Sequence, residues 1–329
     1  MTARGSHERL GPAVLARISE KRRKGQAGCL AMYSSWFGGV VTDPGGMFVP
    51  VDDHLVHRGD GVFETIKCIR GALYNLRAHL RRLRTSADAI GLPVPVDERG
   101  LVRICCEVAA AAGRDDCQIR LLISRGPGSL SVSPAETLGS QIYAVAAELP
   151  PPYHRRCPGG ARAVTVEVAS WGSPFLARIK TCNYLPNVLM KKAALERGAE
   201  FPIGVDEHGR ITEGATENIA LITPDRWLVF PSEGRILPGT TADRVADLVQ
   251  ESITGKELRG VRKADILRGD LYRASEVLAL GTTIDVAPIV EVDGRRIGDG
   301  TPGAIAARIA ALLEDDQLTN AELRTPVRG

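Results

Sequence analysis

Features that would mark a membrane, secreted or nucleic-acid-binding protein are missing from this chain of 329 residues. No run approaches the roughly 18 apolar residues that a spanning helix needs, so we expect no membrane partner. The seven cysteines are odd in number and none forms a C-x-x-C pair, which argues against a disulfide framework and a structural zinc site. The 42 basic and 39 acidic residues nearly balance, and a net charge of +3 does not favour a nucleic-acid partner.

Targeting, repeated and low-complexity segments are lacking as well. The basic run at 21–24 (KRRK) has no apolar segment after it, as a secretory signal would require, so we expect a cytoplasmic protein. Hydrophobic residues make up 44% of the chain, which is ample for a buried core and argues against wholesale disorder. These properties predict a globular protein of two domains, or of one domain and a large lobe.

The order of the predicted elements favours an α+β fold with two lobes. Strands and helices alternate without the regular βαβ period of a Rossmann sheet. Consecutive prolines at 150–152 stiffen the chain and donate no backbone hydrogen bond, which indicates a linker. The predicted organisation is an N-terminal helical extension (1–29), a smaller N-terminal α/β lobe (30–150), the linker (151–152), a larger C-terminal lobe (153–315) and a polar tail (316–329).

Local patterns predict the main elements of both lobes. Residues 61–74 have the pattern of two strands joined by a tight turn at Arg70-Gly71. Apolar residues at spacings of three and four predict a helix from 76 to 90 that stops at Gly91. In the second lobe, Pro186 begins a helix at its favoured first position. Other helices are predicted at 97–112, 240–253 and 302–314, and other strands at 118–124, 141–148, 161–169, 201–205, 218–221 and 277–280.

A lysine stands in a mostly uncharged segment just before the helix that Pro186 begins. The segment is RIKTCNYL at 178–185, and the lysine is Lys180. Desolvation disfavours the charged form of an amine, so a lysine in a partly dry site loses its proton more easily. A neutral amine can attack an aldehyde and form an imine. The alternative is an ordinary lysine at a strand end, with its amine in water.

A carboxylate at Glu213 lies in a second distinctive segment, ITEGATEN at 211–218, between a predicted strand and a glycine-containing bend. If a pyridine binds beside this anion, its ring nitrogen stays protonated and the ring becomes a stronger electron sink. The alternative is a turn glutamate in water.

Two further segments have the composition of an anion site. In LPGTTAD (237–243), Gly239 lets a phosphate approach the backbone, and Thr240 or Thr241 begins a helix whose free N–H groups attract anions. Gly281-Thr282-Thr283 is a small polar turn after an apolar strand. Helix capping alone and an ordinary loop are the respective alternatives.

Taken together and in this order, the segments resemble the class IV (fold-type IV) pyridoxal-phosphate (PLP) enzymes. This group includes branched-chain aminotransferases, D-amino acid aminotransferases and aminodeoxychorismate lyases. The resemblance covers about residues 30–310, and residues 31–54 are most similar to a plant-type subgroup of D-amino acid transaminases. The motifs that carry it are HRGDGVFET at 57–65, HLRRL at 79–83, KTCNYLPN at 180–187, TEG and NI within 212–219, LPGTT at 237–241 and GT at 281–282.

The resemblance implies a role for each matching residue. Lys180 would hold PLP as a Schiff base and would move a proton between Cα and C4′, and Glu213 would face the pyridine nitrogen. Arg82 would bind the phosphate through charge-assisted hydrogen bonds, and Tyr184 would lie near the phenolic oxygen. The rest of the phosphate site would come from Leu237, Gly239, Thr240, Thr241 and Thr282. Family members are usually homodimers, so a second copy of the chain is the expected partner.

The implied reaction is transfer of an amino group between a small amino acid, of D- or branched-chain type, and a 2-oxo acid. The alternative is an aminodeoxychorismate lyase that releases 4-aminobenzoate and pyruvate, because Thr65 is similar to the threonine of those lyases. Residues 127–131 lack the arginine and histidine that bacterial D-amino acid aminotransferases usually carry. Gln118 stands where branched-chain enzymes have a tyrosine.

The predicted substrate-binding residues lie mainly in the first lobe. Arg120 and Arg125 are both candidates to bind a substrate carboxylate, and a structural salt bridge is the alternative for each. Phe63, Thr65 and Thr283 complete the predicted set. No metal ligand is predicted.

Overall fold

The computed structural model describes residues 28–168 and 174–328, together with 17, 18 and 20. The predicted N-terminal extension therefore lies almost entirely outside the described residues. In chain order the strands are β1 (Cys29–Ser34), β2 (Gly39–Val41), β3 (Gly61–Ile69), β4 (Ala72–Tyr74), β5 (Cys117–Ser124), β6 (Gln141–Ala147), β7 (Ala161–Glu167), β8 (Phe201–Val205), β9 (Asn218–Ile222), β10 (Trp227–Pro231), β11 (Gly260–Ala264), β12 (Glu276–Gly281), β13 (Asp285–Val292), β14 (Arg295–Arg296) and β15 (Arg324–Pro326). The helices are α1 (His54–Arg58), α2 (Leu76–Ala89), α3 (Glu98–Ala111), α4 (Tyr153–Arg156), α5 (Pro174–Ala177), α6 (Leu185–Glu196), α7 (Thr240–Ser252), α8 (Arg268–Arg273) and α9 (Ala304–Thr319), with short 3₁₀ turns at Pro44–Gly46 and Pro134–Glu136.

The strands form two sheets, which confirms the predicted α+β, two-lobed fold. The first sheet has the order β15-β4-β3-β5-β6-β1-β2, and its neighbours are antiparallel. The second has the order β11-β10-β9-β12-β13-β7-β8, with β14 paired to β13, and mixes parallel and antiparallel neighbours. No helix of the described ranges has the length and apolar character to cross a membrane.

The hydrophobic cores form where the apolar faces of helices pack against the two sheets. In the first lobe, α2 buries Leu80 and Leu83, and α3 buries Leu101 and Val108, in one cluster with residues of β3 and β5. The helices predicted at 76–90 and 97–112 are confirmed by α2 and α3. α2 ends just before Gly91, whose φ of 57° does not fit an α-helix. In the second lobe, α7 and α9 pack together against β9, β10 and β12.

The two lobes meet along an open edge of β3. The short strand β4 pairs with β3 only at 68–69, so the beginning of this edge remains free for another segment. The Phe63 N–H donates to the Lys180 carbonyl at 2.9 Å, and the Cys182 N–H donates to the Gly61 carbonyl at 2.9 Å. The segment that carries Lys180 is therefore fixed to the first lobe by backbone hydrogen bonds.

The C-terminal residues differ from the predicted polar tail over 316–329. α9 continues beyond 314 to Thr319, and β15 joins the first sheet by pairing with β4. The apolar pattern of the sequence ends before the helix does, because the next buried residues, Asp316 and Gln317, are polar. Asp316 accepts a hydrogen bond from Arg244, and Gln317 donates one to Asp285. The division of the chain at 151–152 stays a prediction.

Candidate active site

A cavity of about 190 Å³ lies where the open edge of β3 faces the second lobe. It brings together all the predicted site residues except Arg125. Those that line it are Phe63, Thr65, Arg82, Arg120, Lys180, Tyr184, Glu213, Leu237, Gly239, Thr240, Thr241, Thr282 and Thr283. The clustering unites segments that are more than 200 residues apart in the chain, such as those around Phe63 and Thr283.

The Lys180 side chain is buried against two aromatic rings. Its Nζ lies 4.7 Å from the centroid of the Phe63 ring and donates a hydrogen bond to the Tyr184 hydroxyl at 3.3 Å. The two rings contact each other edge to face, with centroids 4.9 Å apart. Burial, reinforced by the positive charge of Arg82, lowers the pKa of Lys180 to about 8. More of this amine is therefore neutral near neutral pH than in an ordinary lysine.

Glu213 faces the same cavity from the bend before β9. Its Oε2 accepts a hydrogen bond from the Leu237 N–H at 3.1 Å. Burial raises its pKa to about 7, against the opposing effects of this bond and of the Lys180 charge. A cationic N–H placed beside Glu213 would offset that burial and favour the carboxylate.

Another wall of the cavity has the character of an anion site. Arg82 lies on α2 with its side chain 12% exposed, and α7 begins at Thr240 after Gly239. A Cβ at Gly239 would collide with the Asn218 side chain, so a larger residue there would have to displace Asn218. The first N–H groups of a helix have no partner within the helix, and here they lie beside the arginine.

Thr282 and Thr283, in the turn between β12 and β13, line a further side of the cavity. The turn is anchored at Asp285, a left-handed residue with φ of 59°. Asp285 forms a buried ion pair with Lys67 of β3 and accepts a hydrogen bond from Gln317 at 2.8 Å. The ion pair ties this turn of the second lobe to the strand that carries Thr65 in the first.

Thr65 and Arg120 lie directly opposite each other on β3 and β5 and face the cavity together with Phe63. The Arg120 guanidinium lies 4.8 Å from the centroid of the Phe63 ring. In the part of the chain that the structure describes, no carboxylate pairs with Arg120, which is exposed on β5. A guanidinium that faces a cavity without an acidic partner is a ready site for a ligand carboxylate.

Arg125 is placed elsewhere, and its predicted role in binding substrate is not supported. Its Nε and one terminal nitrogen donate to Asp60 at 2.9 and 3.0 Å. It also donates to the carbonyls of Ile90 and Gly91. The guanidinium is thus engaged at the C-terminal end of α2, the structural salt bridge that was the alternative for this residue.

Two buried residues of the site were given no role by the sequence. Glu64 accepts hydrogen bonds from Arg82 and His79, and His79 contacts Thr240. A signal was present, because a charged residue inside the apolar run GVFETIKCI is rarely buried without a purpose. Asn187, Glu217 and Asn218 also line the cavity. Within the described ranges there is no cluster of His, Cys, Asp and Glu that could hold a metal ion.

Comparison with known proteins agrees with this geometry. The sequence profile of the family "Amino-transferase class IV" matches residues 61–292. The chloroplastic D-amino-acid transaminase of Arabidopsis thaliana is 35% identical over 297 residues, which is 90% of this chain and 79% of that protein. A putative branched-chain-amino-acid aminotransferase of Methanocaldococcus jannaschii is 30% identical and covers 85% of this chain and 95% of its own. The T.th. branched-chain amino acid aminotransferase, solved with pyridoxamine 5'-phosphate, superposes with a TM-score of 0.82 at 27% identity, over 92% of this chain and 100% of that one.

The two-lobed arrangement of the sheets is that of a fold-type IV enzyme. The chain belongs to the class IV aminotransferase family.

Proposed function

We propose that this enzyme binds PLP in the cavity and transfers an amino group between a small amino acid and a 2-oxo acid. The observation that carries the proposal is the Lys180 amine, which is buried and has a lowered pKa. It shares one cavity with the Glu213 carboxylate and with the anion site formed by Arg82 and the start of α7.

The residues present fit the three polar parts of PLP. A phosphate would be bound by Arg82 and by the N–H groups at the start of α7, beside the space that Gly239 leaves. A pyridine nitrogen would find a carboxylate in Glu213, and an aldehyde would find an amine in Lys180. When bound, PLP supplies an electron sink for a bond that breaks at the amino acid Cα.

The chain's own groups then have distinct tasks. Lys180 anchors the cofactor and, once released, is the base that takes the Cα proton, since its lowered pKa of about 8 leaves more of the amine neutral near neutral pH than in an ordinary lysine. Glu213 keeps a ring nitrogen protonated by accepting its hydrogen bond. The Tyr184 hydroxyl accepts a hydrogen bond from the Lys180 amine at 3.3 Å and so orients the amine over the Phe63 ring.

Arg120 is the proposed ligand of a substrate carboxylate, with Thr65 beside it as a hydroxyl donor. Small D-amino acids are our preferred substrates, ahead of branched-chain L-amino acids. The support is the 35% identity to a D-amino-acid transaminase, compared with 30% to a putative branched-chain enzyme.

We further propose that the enzyme works as a homodimer. On α6, the apolar side chains of Leu185, Val188 and Leu189 are exposed to solvent. This helix begins five residues after Lys180, so the exposed surface is close to the cavity in the chain. A second copy would remove these side chains from water. Light scattering during size-exclusion chromatography tests this, and a monomer at micromolar concentration contradicts it.

The test of the reaction is a single half-turnover. Enzyme loaded with PLP is mixed with each D- and L-amino acid, without a 2-oxo acid, and the products are separated by chromatography. We expect pyridoxamine 5'-phosphate and the matching 2-oxo acid in equal amounts, most rapidly from small D-amino acids. If no amino acid gives them, while aminodeoxychorismate yields 4-aminobenzoate and pyruvate, the transferase proposal is wrong and the lyase takes its place.

A further inference from the structure

A buried carboxylate lies behind the anion site, where it binds Arg82 directly and is linked to Thr240 through His79. Glu64 is fully buried on β3, on the sheet face opposite to Phe63 and Thr65. Arg82 donates to both of its oxygens at 2.7 Å, and Glu64 Oε2 is 2.7 Å from Nδ1 of His79. His79 lies one turn before Arg82 on α2, so both side chains project toward the same carboxylate.

The state of His79 follows from these contacts. Burial acts to raise the pKa of Glu64, but the Arg82 charge and the hydrogen bonds from Arg82 and His79 outweigh it and lower the pKa to about 2. An ionised carboxylate only accepts, so Nδ1 of His79 must carry the proton. Burial lowers the pKa of His79 itself, which keeps the ring neutral and leaves Nε2 without a proton.

The direction of the next contact is thereby determined. Nε2 of His79 lies 3.3 Å from the hydroxyl of Thr240, the first residue of α7. Because Nε2 can only accept, the Thr240 hydroxyl donates to it and turns its lone pairs away from the ring. An anion at the start of α7 therefore receives the backbone N–H of Thr240 and not its hydroxyl proton.

Arg82 is oriented by the same carboxylate. A guanidinium has five N–H groups. Two of them are taken by Glu64 and one by the Pro238 carbonyl at 2.7 Å, which leaves two on a side chain that lines the cavity. The fork is thus held at both ends while its remaining donors stay available to an anion.

We propose that Glu64 and His79 are positioning residues for the phosphate of the cofactor: Glu64 fixes Arg82 directly and fixes Thr240 through His79. The inference rests on the proposed function, since it takes PLP as the ligand of the cavity. Neither residue touches the cofactor. Their effect should therefore fall on recognition of the phosphate and leave recognition of the ring and the aldehyde unchanged.

Phosphate selectivity separates this role from a purely structural one. The dissociation constants of PLP and of pyridoxal, which lacks the phosphate, are measured on the full-length enzyme from the visible absorbance of the bound form. In Glu64→Gln, the amide keeps one acceptor oxygen and places an N–H donor where the other oxygen was, so Arg82 and His79 cannot both keep their hydrogen bonds. We expect PLP to bind about 10- to 100-fold more weakly, the range of one or two decades for a charge-assisted contact, and pyridoxal affinity to stay as in the wild type.

Asp60→Asn is the matched control. Asp60, like Glu64, forms a bidentate ion pair with an arginine of the first lobe, in this case Arg125. This pair lies outside the cavity, and the substitution removes the charge of its carboxylate. We expect the ratio of PLP to pyridoxal affinity in this variant to equal that of the wild type. An equal loss of both ligands in Glu64→Gln, or the same change of ratio in Asp60→Asn, would overturn the proposal. A wild-type enzyme that binds neither ligand, or binds both alike, would instead refute the proposed PLP site itself.

A second measurement does not depend on the Glu64→Gln variant folding. Nitrogen NMR of the wild-type enzyme, with labelled histidine and the His79 signals assigned by their loss in His79→Gln, reads the tautomer directly. We expect a neutral ring with the proton on Nδ1, both with and without PLP. A proton on Nε2, or a charged ring at neutral pH, would break the chain from Glu64 to Thr240 and refute the inference.

Discussion

Replacing Arg120 and Arg125 by leucine, one at a time, should separate a ligand-binding arginine from a structural one. Arg120 lies in the middle of β5 and Arg125 directly follows that strand, and both carry the same charge. Arg120 faces the cavity and has no acidic partner among the described residues. Arg125 pairs with Asp60 and bonds two backbone carbonyls at the end of α2.

The expected magnitudes follow from these contacts. Arg120→Leu removes a charge-assisted contact with the substrate carboxylate worth about 1.5–3 kcal/mol, so kcat/KM should fall about 10- to 100-fold. Its free energy of unfolding should stay close to the wild-type value, because the wild-type guanidinium is exposed and has no acidic partner among the described residues. Arg125→Leu leaves Asp60 unpaired. With side chains 11% and 23% exposed, this pair is mostly buried, and its loss should lower the free energy of unfolding by about 3 kcal/mol.

The assay pairs urea denaturation with steady-state kinetics on the same preparations. We expect opposite patterns: lower kcat/KM with normal stability for Arg120→Leu, and lower stability with normal kcat/KM for Arg125→Leu. If Arg120→Leu is the destabilised variant and keeps its kcat/KM, the assignment of the carboxylate site is refuted.

Three other results are expected. Glu213→Gln should keep the fold, because a glutamate whose pKa is about 7 is partly neutral already, but kcat should fall about 10²–10³-fold as the ring nitrogen loses its anion; a kcat within error of the wild type would contradict this. Lys67→Met leaves Asp285 buried without its cation, so the free energy of unfolding should drop by about 3–5 kcal/mol in urea, and an unchanged midpoint would show that the ion pair does not hold the turn. With a pKa of about 8, the fraction of neutral Lys180 rises about tenfold per pH unit below that value and then levels, so stopped-flow rates of PLP attachment to the apoenzyme should do the same; a rise that continues toward 10.5 would indicate an ordinary lysine.

Elements with a local sequence signal could be predicted well. The turn at Arg70-Gly71 has φ values of 47° and 68°, as a tight hairpin needs, and its glycine and flanking strands are visible in the sequence. The helix from 76 likewise follows from the spacing of its leucines. In such segments the residues that decide the structure are neighbours in the chain.

Elements that depend on distant partners were missed. β13 contains Pro288, which reads as a strand breaker until its neighbours β12 and β7 are known. β15 consists of only three residues and forms a strand because β4, about 250 positions earlier, offers a free edge. No local pattern reports such a pairing.

The same distinction applies to the site. The lysine, the glutamate and the glycine-threonine turns could be predicted from motifs, although their meeting in one cavity is a property of the fold. Arg120 and Arg125 could not be told apart, because the difference lies in Asp60 and in the end of α2. Glu64 lay inside a quoted motif, but its partner His79 is on another element, and so its contacts were not predictable.

The central claim, that Lys180 is the covalent anchor of the cofactor, is tested most directly by chemical trapping. Enzyme incubated with PLP is reduced with borohydride, digested and mapped by mass spectrometry, next to Lys180→Ala. The account predicts the pyridoxyl mass on the peptide that contains Lys180, loss of the visible band on reduction, and neither signal in a folded Lys180→Ala, whose activity should fall by more than the 10²–10⁴-fold typical of a general base. A label on another lysine, or a Lys180→Ala enzyme that retains substantial turnover, would contradict it.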